Sequence, residues 1–144
     1  MTIAEITEYV STLGAVLTVT PEAGSEWPPI SWGDTFFYYA PDGVVPKTQP
    51  FATITTKNYP GEPAAGLDRP GAFRVNIAAG KDAFATWAGR APADDTLIAH
   101  PTYAAAHWLA VVNPGERTTG TVRELLRTAH DRARIRFDRR AHAE

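Results

Sequence analysis

Two polar side chains suited to binding an anion lie on one predicted β-strand. In the segment FRVNI, residues 73–77, strand alternation puts Arg74 and Asn76 on one face and the apolar residues on the other. A guanidinium group can donate two parallel hydrogen bonds to a carboxylate or a phosphate. Arg74 is therefore a candidate anchor for an anionic ligand, with Asn76 as its polar partner.

A second predicted strand can extend this polar surface. The segment FATITTK, residues 51–57, presents Thr53, Thr55 and Lys57 on one face. If it pairs in register with the strand at 73–77, the polar side chains of both strands lie together. Two interpretations remain open. The surface is either the floor of a ligand pocket or the solvated side of a sheet whose other side packs on helices.

Aromatic residues can supply the walls of such a pocket. The predicted strand 34–40, DTFFYYA, carries aromatic side chains on both of its faces, so one pair is expected in the core and the other beside the polar surface. The candidates for the apolar walls are Trp32, Tyr38 and Trp108, with Asp34 as a further polar group. Apolar walls around a few polar groups are typical of small-molecule sites. In the alternative arrangement the long loops cover both aromatic pairs and leave no cavity.

His100 and His107 are the candidates for acid–base catalysis, because imidazole titrates near neutral pH. Asp34, Asp94 or Asp95 can orient one of them. Each histidine also has a structural interpretation. His100 can be a turn residue that hydrogen-bonds backbone, and His107 can begin a strand at the edge of the sheet.

Several kinds of site are missing from the sequence. It has no cysteine, no HExxH metal motif, no phosphate-binding P-loop, no GxGxxG and no GxSxG. We therefore expect neither a metal nor a cofactor.

Charge is unevenly distributed along the chain. Residues 123–144 hold seven arginines against four acidic residues, whereas residues 1–122 hold seven basic against twelve acidic residues. Nucleic-acid binding is not expected, because an acidic body repels the phosphate backbone. Basic residues near a helix C-terminus also complement the helix dipole without any ligand.

The residues that could form the site are positioned by a predicted α+β fold: one two-layer domain over residues 1–144, with a mainly antiparallel five-stranded sheet and three helices on one face. The residues 136–144 are expected to be a basic tail that can fray. Three helices are predicted. The first starts at Thr2, which forms a capping box with Glu5, and the second starts at about Lys81. The third starts near Thr121, which forms a second capping box with Glu124. The predicted strands are 16–20, 34–40, 51–57, 73–77 and 107–112, and a long Pro- and Gly-rich loop is predicted over 58–71.

Four sequence blocks, in order, resemble an uncharacterised bacterial family of about this length. They are GDTFFYY (33–39), PFATITT (50–56), LDRPGAFRVNI (67–77) and HPTYAAAHWLAVVNP (100–114). The last strand and helix are also similar to those of MmcQ/YjbR-like proteins, which implies a small α+β domain with a meandering sheet. Fold likeness of this kind does not transfer an activity.

The sequence favours a small-molecule-binding domain that takes an anionic ligand on the polar face of the sheet. The alternatives are a small acid–base enzyme, a nucleic-acid-associated module that uses the Arg-rich last helix, and a protein whose aromatic strand face forms a homodimer interface. The N-terminus lacks the features of a signal peptide, and no apolar run approaches the roughly 20 residues of a membrane helix. We therefore expect a cytoplasmic protein, either a monomer or a homodimer, with no membrane partner.

Overall fold

A computed structural model of the chain describes residues 1–62 and 66–143. The predicted loop 58–71 and the predicted tail 136–144 each include residues outside these ranges. The elements are, in chain order, α1 (Ile3–Ser11), β1 (Val16–Val19), β2 (Thr35–Tyr39), β3 (Ala52–Thr55), β4 (Arg74–Ala78), α2 (Lys81–Trp87), β5 (Leu97–Ala99), β6 (Trp108–Val112) and α3 (Thr119–Ala143). The α+β class is confirmed.

The described strands form one open sheet of six strands in the order β1-β2-β3-β4-β6-β5, and all neighbouring strands are antiparallel. The prediction of five strands is wrong because it missed β5. This strand has only three residues and no alternation of its own, and its position is set by pairing with β6 at the edge of the sheet. None of the described helices is long and apolar enough to cross a membrane.

The core lies between one face of the sheet and the helices. Phe37, Ile54 and Val75 project from neighbouring strands into the same cluster as Ile6 of α1 and Leu126 of α3. The aromatic side chains of α2 pack against the edge of this cluster. We call this side of the sheet the core face and the other side, which carries Arg74 and Asn76, the polar face.

The first helix begins as the sequence predicts. Thr2 accepts a hydrogen bond from the Glu5 amide, and the Glu5 carboxylate accepts one from the Thr2 amide, which completes the capping box. Hydrogen bonds from Thr2 lower the pKa of Glu5.

The last helix, α3, begins at Thr119, close to the predicted start near Thr121, but the predicted capping box of Thr121 and Glu124 is wrong because both residues lie inside the helix. The carboxylate of Asp95, which is distant in the sequence, accepts hydrogen bonds from the turn just before α3. Its Oδ1 accepts from the amides of Gly115 and Thr118 at 2.7 and 3.1 Å, and its Oδ2 accepts from the amide of Arg117 at 3.0 Å. No local sequence motif shows this cap, because its two parts are 20 or more residues apart.

The basic residues at 136–143 are part of α3. The buried stripe of the helix consists of Val122, Leu125, Leu126 and Ala129, which lie in the core.

Asp95→Ala should lower the free energy of unfolding by about 2 kcal/mol, because it removes the acceptors at the start of α3. Burial alone would raise the pKa of Asp95, but the hydrogen bonds from Thr118, Gly115 and Arg117 outweigh it and lower the pKa. This contribution is therefore complete above the ordinary aspartate pKa and is lost as pH falls through the lower folded value.

Urea unfolding at pH 7 and at pH 3 measures both effects. Asp131→Ala is the matched control on the same helix, since Asp131 forms an exposed pair with Arg134 whose loss should cost less than about 1 kcal/mol. Equal losses in the two variants would contradict the capping role of Asp95.

Candidate functional site

The polar face is assembled by strand register. Asn76 of β4 lies opposite Thr53 of β3, and Arg74 lies opposite Thr55. The Nδ2 group of Asn76 donates to the hydroxyls of Thr53 and Thr55 at 3.0 and 3.2 Å. Arg74 and Asn76 are each only 1% exposed, so their part of the polar face is covered and is not a solvated surface.

Loops cover this face but leave a cavity of about 260 Å³ above the polar side chains. Its described lining consists of a polar floor, aromatic walls and two residues of the loop before β3. The lining residues are Phe36, Tyr38, Gln49, Pro50, Thr53, Thr55, Tyr59, Glu62, Arg74, Asn76, His100, Tyr103 and Trp108. We call this space the aromatic cavity.

Arg74 is the buried cation in the floor of the aromatic cavity. Its Nε donates to Oδ1 of Asn76 at 2.7 Å, and its Nη2 donates to the carboxylate of Glu62 at 3.2 Å. Among the residues that the structure describes, Nη1 has no hydrogen-bond partner, although it is fully buried. A buried donor without a partner costs about 1–3 kcal/mol, so a ligand oxygen that accepted from Nη1 would recover that energy.

Glu62 is the counter-ion of Arg74, and its side chain is 8% exposed. It also accepts a hydrogen bond from the Thr102 hydroxyl at 2.6 Å. Burial opposes its ionisation, but the bond from Thr102 and the charge of Arg74 outweigh burial and lower the pKa of Glu62. The floor therefore holds one cation and one anion side by side.

His100 lies in the cavity wall as a neutral imidazole. Its Nδ1 accepts from the backbone amides of Thr102 and Tyr103, each at 3.0 Å. Burial, and secondarily the charge of Arg74, lower its pKa from 6.5 to about 4, although Glu62 acts in the opposite direction. Since Nδ1 must be unprotonated to accept these bonds, Nε2 carries the proton, and His100 can donate a hydrogen bond but cannot serve as a base at neutral pH.

His107 does not join this site. It has a positive φ of 62°, which ends the preceding turn, and its ring lies 5.4 Å from the ring of Phe84 on α2. The strand β6 consequently begins at Trp108, one residue later than predicted.

None of the candidate aspartates orients a histidine. Asp94 forms an exposed ion pair with Arg69, whose Nη2 lies 2.8 Å from Oδ1. Asp95 caps α3, and Asp34 belongs to a separate network beside the cavity.

Asp34 anchors the segment that follows β3. Its Oδ1 accepts from the amide of Thr56 and from Nζ of Lys57, both at 2.9 Å, and its Oδ2 accepts from the hydroxyl of Tyr59. Burial, followed by this hydrogen bond, raises the pKa of Tyr59. Asp34 and Lys57 thus position Tyr59 in the cavity wall but do not line the cavity themselves.

The aromatic walls come from parts of the chain that are far apart in the sequence. Tyr38 is 7% exposed, and burial raises the pKa of its phenol. Trp108 lies across from it, beside the ring of His100 at 6.2 Å. The third predicted wall residue, Trp32, lies elsewhere, where its indole nitrogen donates to the carbonyl of Trp27 at 2.9 Å.

Sequence reasoning named Arg74, Asn76, Tyr38, Trp108 and His100, which the structure places together, but it missed other lining residues, among them Glu62, Tyr59 and Tyr103. Glu62 and Tyr59 lie in a Pro- and Gly-rich stretch without periodicity, and Tyr103 lies in a turn that carries no motif. The only available signal for Glu62 was a general one, namely that a buried arginine requires a carboxylate partner.

No three His, Asp or Glu side chains are arranged to hold a metal ion within residues 1–62 and 66–143. The polar groups of the cavity include hydrogen-bond donors and the ion pair of Arg74 with Glu62. The fold and the cavity together define an α+β protein with a covered, aromatic-walled cavity on the polar face of its sheet.

The chain belongs to a family of unknown function, DUF6194, whose profile matches residues 1–142. Comparison with curated proteins and with solved structures finds no match. The resemblance to MmcQ/YjbR-like proteins and the bacterial origin are supported by none of these comparisons and stay predictions.

The protonation state of His100 predicts how stability depends on pH. Because the pKa is lowered on folding, the unfolded chain binds the proton more readily, and the free energy of unfolding should fall as pH decreases from 6.5 to about 4. In His100→Asn the side-chain oxygen can accept the same amides, and this part of the pH dependence should disappear.

Urea unfolding across this pH range tests the prediction. The exposed His142 near the end of α3 provides the control variant, His142→Asn, which should keep the wild-type dependence. An unchanged pH dependence in His100→Asn would show that His100 is not the buried neutral group.

Proposed function

We propose that this protein binds a small molecule that combines a planar apolar part with a carboxylate or carbonyl oxygen. The observation that carries the proposal is the buried guanidinium of Arg74 in the floor of the aromatic cavity, with Nη1 unpaired among the described residues. A buried arginine usually satisfies its donors, and an unsatisfied one beside a cavity points to an acceptor supplied by a ligand.

The polar groups around the cavity favour a ligand that accepts hydrogen bonds. Nε2 of His100 carries a proton when Nδ1 accepts from backbone. Tyr38 also lines the cavity, so its hydroxyl is a further polar group of the wall. The carboxylate of Glu62 is already engaged by Arg74 and Thr102. The deep end of the cavity therefore offers the donors Nη1 of Arg74 and Nε2 of His100, while its carboxylate is already engaged.

The size and the charge of the cavity limit the ligand further. A volume of about 260 Å³ lies just below the usual range for drug-sized ligands, about 300–1,000 Å³. Because Glu62 offsets the charge of Arg74, the floor suits a single carboxylate or a neutral carbonyl better than a multiply charged anion. The aromatic walls suit a flat ring.

Binding is better supported than acid–base catalysis. His100 is a neutral donor, and His107 lies away from the cavity on the side of α2. The homodimer alternative is disfavoured because the aromatic side chains of β2 on the polar face are covered within the chain. Trp27 stacks on Phe36 at 5.9 Å, and Tyr38 is buried.

Arg74→Lys should weaken the binding of benzoate by at least about tenfold, because lysine keeps the charge but loses the planar fork of donors. Isothermal calorimetry, or NMR of the Trp108 indole N–H, can follow the titration. For a ligand this small, dissociation constants of about a millimolar are expected.

Arg69→Lys is the matched control, since Arg69 forms an exposed ion pair outside the cavity. It should leave the affinity unchanged. Benzoate binding that is absent from the wild type, or equal in the two variants, would contradict the role of Arg74.

Glu62→Gln should strengthen the binding of benzoate, and it tests the charge of Glu62 with little change in the shape of the side chain. Removing the carboxylate leaves the charge of Arg74 uncompensated, so the affinity for benzoate should rise several-fold, whereas the affinity for the neutral benzamide should change little. The comparison uses the same calorimetric titrations. A parallel change for both ligands would mean that Glu62 acts only by holding the loop.

A further inference from the structure

A second concave surface lies on the other side of Gln49, Pro50 and Trp108, which line both it and the aromatic cavity. Its volume is about 340 Å³. One wall is the segment 46–50, and the other is the C-terminal half of α3. The floor is formed by the ends of the strands at Phe51, Ala78 and Trp108.

Three arginines of α3 line this surface: Arg132, Arg136 and Arg140. They recur every four residues, so they form one row along the helix with a spacing of about 6 Å per step. None of the described residues that line the surface is acidic. We call it the arginine groove.

The row is not neutralised within the described part of the chain. Arg134, on another face of the same helix, pairs with Asp131 and Asp138, whereas Arg132, Arg136 and Arg140 have no carboxylate partner there. Like charges spaced four residues apart destabilise a helix. Burial, followed by the charges of Arg132 and Arg140, lowers the pKa of Arg136.

Arg132 is held in place at one end of the row. Its Nη1 donates to the carbonyl of Ala78 at 3.2 Å, where β4 ends. The guanidinium lies so close to Gly80 that a Cβ at that position would be 2.6 Å from Nη1. Gly80, with a φ of 87°, therefore leaves the space that Arg132 occupies.

We propose that the arginine groove is a second anion site, which binds the phosphoryl groups of a small phosphorylated ligand such as a diphosphate. Guanidinium groups match phosphate oxygens through paired hydrogen bonds, and a row of three about 12 Å long can hold two adjacent phosphoryl groups. The aromatic cavity contains its own counter-ion in Glu62, whereas the groove contains none among its described lining residues. The two surfaces therefore favour different ligand groups, and the groove does not depend on the proposed function of the cavity.

A small ligand is favoured over a nucleic acid. The groove is bounded on one side by residues 46–50 and is not an open stripe. Residues 1–122 also carry twelve acidic against seven basic residues, which repels a long polyanion beyond the groove.

The test is a titration with pyrophosphate at about 50 mM salt, where surface charges are weakly screened. Binding is measured by calorimetry and by thermal unfolding. The wild type should bind pyrophosphate and show a raised Tm. The double variant Arg136→Ala with Arg140→Ala should lose at least about tenfold in affinity, because two of the three guanidinium groups are removed. Its Tm without ligand should stay the same or rise, since the variant relieves repulsion between like charges.

Arg139→Ala is the matched control, because it removes the same charge from the same helix but outside the groove. It should stay within about twofold of the wild type at this ionic strength. Arg74→Lys should not change pyrophosphate binding, so the result is separate from that for the aromatic cavity.

Three outcomes would overturn the proposal: no binding of pyrophosphate by the wild type, an equal loss in Arg139→Ala, or tighter binding of a single-stranded oligonucleotide than of pyrophosphate. The second would indicate a diffuse basic surface. The third would indicate that the arginines of α3 serve a nucleic acid.

Discussion

The burial of the Arg74 guanidinium on the polar face of the sheet is the constraint on which the rest of the structure depends. A charge that is removed from water is costly unless it is paired and hydrogen-bonded. Asn76 on the same strand and Glu62 from a distant loop meet most of this requirement. Tyr59 and Glu62, from the segment after β3, therefore lie against the polar face and line the aromatic cavity. The Arg74–Glu62 pair links the strand framework to the loops that cover it.

This arrangement explains why both faces of the sheet are covered. An antiparallel sheet that packs helices on one face commonly exposes the other to water. Here the second face carries aromatic side chains as well as Arg74, and long irregular segments cover it. Buried side chains help to anchor those segments, as Asp34 anchors the residues after β3.

The two concave surfaces differ in how their charges are compensated. In the aromatic cavity the cation lies beside a carboxylate within the chain. In the arginine groove, Arg132 donates to a backbone carbonyl and has no carboxylate partner in the described part of the chain. The helix therefore presents three like charges in a row. Uncompensated repulsion reduces stability, and a sequence free to vary could relieve it by placing an acidic residue four positions away. The row thus suggests a ligand that supplies the negative charge.

Local patterns in the sequence determined most of the secondary structure, because period-two and helical spacing, caps and turn residues act within a few positions. They also determined that Arg74 and Asn76 share a face, since that follows from alternation alone. The tertiary structure decided which side chains meet across long separations. It brought Glu62 to Arg74, placed His100 in the cavity and His107 outside it, and engaged Lys57 and Asp34 with each other. It also added β5 to the edge of β6 and joined Asp95 to the turn before α3. The physical reason is that these contacts join residues whose separation in the chain carries no periodic signal. Their pairing is set by the cost of leaving a buried charge or hydrogen-bonding group without a partner.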